Sequence, residues 1–176
     1  MTLCIRLLSE LLLQRYQVPL PDASESLLAR HAVSLLEENK ALLGQLAGGH
    51  RDAAFNALIL PQAELTMESI GHAMAYSAAL QKGLPKPILD IYECAVIRRD
   101  PAWYSEKAGL TRQDQRVRED KAVASAMPHL AKYLDDLNIE AYVSAPIVSD
   151  ATWKKYYNGM AVFKGNASLI ADQVYA

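Results

Sequence analysis

AAFNALILPQAELTMESIGHAMAYSAALQ, residues 53–81, decides the fold. Its only full charges are Glu64 and Glu68. Ala63, Met67, Ile70 and Met74 recur at three- and four-residue steps, which is helical spacing. Glu64, Glu68, His72 and Tyr76 recur at four, so they wind along another side of the same helix as a polar stripe. A segment this poor in charge is expected to be buried. A buried carboxylate is costly unless it is paired or has shifted its pKa. Two readings follow. Glu68 and His72 satisfy each other at a helix interface, or they form an acid–base pair. In the second reading Glu64 tunes the pair, and Tyr76 donates a hydrogen bond to a developing anion.

The pattern spreads outward from this segment. Leu7, Leu8, Leu11 and Leu12 place a first helix from a Thr2 cap to about Gln17. Val18-Pro19-Leu20-Pro21 breaks it. A second helix starts at Asp22 or Ser24 and ends at Gly48-Gly49. A third runs from about Arg51 to Leu60, where Pro61 kinks it or opens the central helix to Gly83. Pro87 suits the first turn of a helix reaching Arg99. Asp100-Pro101 turns into a short piece holding Trp103 and Tyr104. Thr111 with Asp114 forms a capping-box start. Its first half, Arg112 to Lys121, is densely charged and reads as a solvated face. Residues 140–149 (EAYVSAPIVS) are the one segment that reads extended. Ser149 or Asp150 then caps a last helix. The expectation is an all-α, single-domain bundle of about seven or eight helices over 1–165, with a mobile tail at 166–176.

Composition narrows the function. The chain has 176 residues and a net charge of −2, which gives no electrostatic case for nucleic acid or an anionic membrane. No apolar run approaches the roughly 18 to 20 residues that span a bilayer. Cys4 and Cys94 sit in apolar surroundings without metal-ligand spacing, as free thiols in a reducing compartment do. A cytoplasmic protein is expected, and a homodimer is compatible with it. There is no GxGxxG, P-loop lysine motif or GxSxG elbow. Glu68 and His72 are four apart, unlike the Glu-x-x-His of di-iron bundles. Glu64, Glu68 and His72 would need an outside carboxylate to hold a metal, so no metal or cofactor is expected. His31, His50 and His129 are scattered and read as surface or satisfied core histidines. Glu93 either faces the polar stripe, with Asp90, or pairs with Arg98 or Arg99. Aromatic residues gather late in the chain, and the Tyr142 to Val148 segment with Trp153 reads as a lid over the bundle.

Residues 60–110 (LPQAELTMESIGHAMAYSAALQKGLPKPILDIYECAVIRRDPAWYSEKAGL) and 140–159 (EAYVSAPIVSDATWKKYYNG) carry a family likeness. The most specific pieces are IGHAMAY at 70–76, DPAWY at 100–104 and APIVSD at 145–150. Together they resemble the helical C-terminal region of fungal acyl-CoA dehydrogenase-like proteins. Those proteins hold FAD between two helical domains and a sheet. The resemblance therefore implies a stand-alone helical module without a complete flavin site, at home in fungal secondary metabolism.

From residues and resemblance together we expect a cofactor-independent lyase, isomerase or cyclase acting on a small, mainly apolar metabolite. Glu68, His72 and Tyr76 would carry the chemistry, and Glu64, Tyr104, Tyr142 and Trp153 would bind substrate. The alternative is a non-catalytic helical binding or dimerisation module. A metal- or flavin-assisted enzyme is a third class.

Overall fold

The computed structural model describes residues 2–139, 142–143, 145–147 and 149–162. All regular structure among them is helical. Packing divides the chain into two compact units, residues 1–128 and 129–176.

The first unit holds α1 (Thr2–Leu12), α2 (Leu27–Gln45), α3 (Ala63–Gln81), α4 (Lys86–Ile97), α5 (Pro101–Glu106) and α6 (Arg112–Ala126). α3 packs against α1, α2 and α4, and α4 packs against α6. The first helix ends at Leu12 rather than Gln17, and Gln14 just beyond it turns with φ +56°. α2 begins later than expected. Ser26 accepts the Ala29 amide at 3.0 Å and caps it. The Thr111–Asp114 capping box forms as its spacing predicts.

Residues 49–62 depart from the expected third helix. They form a 3-10 turn at Gly49–Arg51, a π-turn at Phe55–Ile59 and a second 3-10 turn at Leu60–Gln62. Pro61 explains the wide turn. It has no amide hydrogen, and its ring clashes with the carbonyl four residues back. The ladder loosens ahead of it, and the Leu60 amide donates to the Phe55 carbonyl, five residues away. α3 then starts afresh at Ala63.

Two apolar clusters fill the unit. Leu8, Leu28, Ile59, Ile70 and Val96 belong to the larger one, and α3 enters it through small residues such as Ala63 and Ala73. Leu35, Ile97, Trp103 and Tyr104 form the second, where DPAWY folds back onto α2. α3 is not buried all round. Glu64, Gly71 and Ala75 are exposed, so the charge-poor composition overstated its burial.

The second unit contains α7 (Leu130–Asp136) and α8 (Asp150–Asn158). Ser149 and Thr152 cap α8 reciprocally. Neither helix has a buried residue. Within the segment expected to be extended, Pro146 and Ile147 form a turn, and no strand appears among its described residues. Glu140, Ala141, Ser144, Val148 and the expected tail at 166–176 lie outside the described residues.

Candidate functional site

α3 and α4 meet along a groove. Glu68, Gly71 and His72 share one face of α3. Tyr92, Ala95, Val96 and Arg99 stand at three- and four-residue steps along α4 and the turn after it. These residues line an open groove of about 500 Å³. Gly71 borders open space, since a Cβ there would meet nothing within 4 Å.

The polar groups pair across the groove rather than along the helix. The Glu68 carboxylate accepts a hydrogen bond from Arg99 Nη2 at 2.6 Å. His72 Nδ1 bonds the Tyr92 hydroxyl at 2.8 Å, with the two rings edge-on at 5.7 Å. No hydrogen bond joins Glu68 to His72 among the described residues, so the expected dyad is not formed. The reason is competition. Arg99 takes the Glu68 carboxylate and Tyr92 takes His72 Nδ1, so each group is engaged from α4 or the turn after it. His72 Nε2 has no protein partner among the described residues.

Tyr76 supports the groove from behind. Its ring stacks nearly parallel to Tyr92, 6.5 Å away at 16°. Burial pushes the Tyr76 hydroxyl above its ordinary pKa, and the Glu93 and Asp90 carboxylates add to this. Burial raises Tyr92 likewise. Both phenols therefore stay protonated at neutral pH and can donate. The Glu68 hydrogen bond and charge raise Arg99, which stays cationic.

Glu64 and Tyr104 lie elsewhere in the first unit. Glu64 is exposed and borders a different hollow, with Ile5, Asn56 and Pro61. Tyr104 is wholly buried in the second apolar cluster, and its hydroxyl has no partner among the described residues. Burial raises its pKa far above the ordinary phenol. Tyr142 and Trp153 belong to the second unit, where they are 88% and 49% exposed. Glu93 pairs with neither Arg98 nor Arg99. Arg118 on α6 reaches it through Nε at 3.0 Å and Nη2 at 2.5 Å. Two groove residues escaped the sequence reading, Tyr92 and Arg99. Their seven-residue separation, two helical turns on one face, was the available signal.

Of the two readings offered for His31, surface or core, the structure shows the core one. It is 2% exposed, and its Nε2–H donates to Asp100 at 3.0 Å. Trp103 and Tyr104 lie 4.7 and 5.0 Å away, centroid to centroid. Nδ1 is left as a buried acceptor without a partner among the described residues. Burial lowers the His31 pKa and outweighs Asp100, which would raise it. The ring is neutral and ties α2 to the α5 cap. Among the described residues, no three His, Cys, Asp or Glu side chains gather to hold a metal ion, and no helix is long and apolar enough to cross a membrane.

No protein-family model, curated protein or solved structure matches this chain.

Proposed function

We propose that the α3–α4 groove is a cofactor-independent acid–base site for a small, mainly apolar metabolite with a carbonyl group. The observation that carries this reading is the His72–Tyr92 bond. It anchors Nδ1 and leaves Nε2 without a protein partner beside an open groove of about 500 Å³. With Nδ1–H donating to the Tyr92 oxygen, Nε2 presents a lone pair. It can take a proton from the carbon next to the carbonyl, and the C–H electrons move to the carbonyl oxygen as an enolate. The Arg99 guanidinium, held by Glu68, faces that charge. Return of the proton to another carbon isomerises the substrate. Attack of the enolate carbon on an internal electrophile cyclises it. Gly71, Ala95 and Val96 supply apolar walls.

Proton–deuterium exchange at the α-carbon of small cyclic and aromatic ketones, followed by NMR in D₂O, tests this. His72→Ala should slow exchange by about 10²- to 10⁴-fold while the melting temperature holds. Wild-type protein that catalyses no exchange ends the catalytic reading.

One observation favours the alternative, a non-catalytic binding module. Glu68 pairs with Arg99, and His72 Nδ1 pairs with Tyr92, as side chains do at a structural interface. Ligand binding by wild-type protein, with no exchange and no dependence on His72, would select it. A setting in fungal secondary metabolism rests on the sequence resemblance alone.

A further inference from the structure

We propose that the cleft between α4 and α6 is a second binding site, built for the phosphate monoester group of a small, partly apolar molecule. Arg98 of α4 and Arg112 and Arg116 of α6 border this cleft of about 400 Å³. Its floor is apolar: Cys94 is 5% exposed and Ile97 is 2% exposed. On α4 these positions lie opposite Tyr92, Ala95 and Arg99, so this cleft and the α3–α4 groove use different faces of one helix.

The arginines are arranged for a guest rather than for each other. Arg98 is engaged by Glu119 at 2.8 Å. Arg112 and Arg116 have no hydrogen-bond or ion-pair partner among the described residues, although carboxylates are near in sequence. Asp114 is committed to the Thr111 cap, at 3.0 Å from the Thr111 amide. Asp120, one turn beyond Arg116, makes no ion pair with it. Like charges four residues apart on a helix repel and destabilise it.

The charge and shape select the ligand class. Three guanidiniums against one carboxylate leave the lining with two positive charges, in a chain whose net charge is −2. A phosphate monoester carries about −1.5 to −2 at pH 7, and the planar guanidinium fork matches its oxygens bidentately. Small-molecule sites run from roughly 300 to 1,000 Å³, which includes this volume. The walls are held in place. Gln115 Nε2 donates to the Pro101 carbonyl at 3.1 Å and to the Leu110 carbonyl at 3.0 Å, which ties α6 to both ends of α5.

Titration calorimetry of the full chain with phenyl phosphate at low ionic strength tests the site. One-site, saturable binding is expected. Arg112→Gln and Arg116→Gln should each weaken it by about 10- to 100-fold. Arg51→Gln, outside the cleft, should leave it unchanged. Without ligand, Arg116→Gln should change the melting temperature little, as substitutions at exposed positions do. Arg116→Lys keeps the charge but loses the fork, so it should bind phenyl phosphate more weakly than wild type and more tightly than Arg116→Gln. Absent binding, binding unchanged in the Arg112→Gln/Arg116→Gln double variant, or tighter binding of succinate than of phenyl phosphate each overturns the proposal.

Discussion

His31 and His72 sit on packed neighbours, α2 and α3, and live under opposite conditions. His31 is sealed in, held by Asp100 and sided by Trp103 and Tyr104. His72 is half-buried at the lip of an open groove, with one nitrogen bonded and the other without a protein partner. Each ring makes one side-chain hydrogen bond, so bond count does not separate them. Solvent access does. A histidine without access to a reactant stabilises the fold, and one with access can move a proton. Substitution should therefore split the two into stability and activity.

The largest effect is expected at the sealed ring. His31→Ala should cost about 3–5 kcal/mol in denaturant unfolding, as truncation of a large buried ring does. His72→Ala should cost only about 1 kcal/mol, the worth of one partly solvated hydrogen bond. Equal losses would break the comparison. Next comes Asp100→Ala, which strips His31 of its partner and removes the α5 cap, where Asp100 accepts the Trp103 amide at 3.3 Å. About 2–4 kcal/mol should be lost. Asp100→Asn should recover part of this, because its amide oxygen still accepts from Nε2–H.

The protonation of His31 sharpens the comparison further. Its folded pKa is lowered from the ordinary 6.5, so the unfolded chain binds the proton first. The stabilisation is intact above pH 6.5 and is lost as pH falls from there towards the folded pKa. The slope should approach about 1.4 kcal/mol per pH unit. Urea titrations from pH 7.5 to 5 should show this slope in wild type and its loss in His31→Gln. A slope that survives the substitution assigns the proton elsewhere.

Two smaller effects concern the groove. Gly71→Ala should raise stability by about 0.5–1 kcal/mol, since glycine weakens a helix and the added Cβ meets nothing. The same methyl narrows the groove, so ketone exchange should fall as stability rises. A variant that gains both would remove the groove as the site. Glu68→Gln should cost only about 0.2–1 kcal/mol, because its bridge to Arg99 is solvent-exposed. A larger loss would make the ion pair structural.

The legible part of this molecule was local. Thr111 with Asp114 predicted a helix start that forms, and of Ser149 and Asp150, both offered for another, Ser149 is the cap. The helix expected from about Arg51 to Leu60 does not form as one piece, because Pro61 acts backwards and widens the turn ahead of it. At the site, His72 and Glu68 were singled out by spacing, but the partners were not. Charge-poor composition hid the exposure of Gly71 and Ala75, since small residues cover little surface whichever way they face.

The sequence by itself determined the helices, their caps and their breaks, because those depend on hydrogen bonds and side chains within about four residues. Only the tertiary structure decided which polar groups meet. His72 lies 20 residues from Tyr92, Glu68 lies 31 from Arg99 and His31 lies 69 from Asp100. Several partners were chemically acceptable for each of these groups, and their pair energies differ little. Packing of α2, α3, α4 and α5 selected among them by setting which side chains stand within 3 Å, and with that choice separated the sealed histidine from the open one.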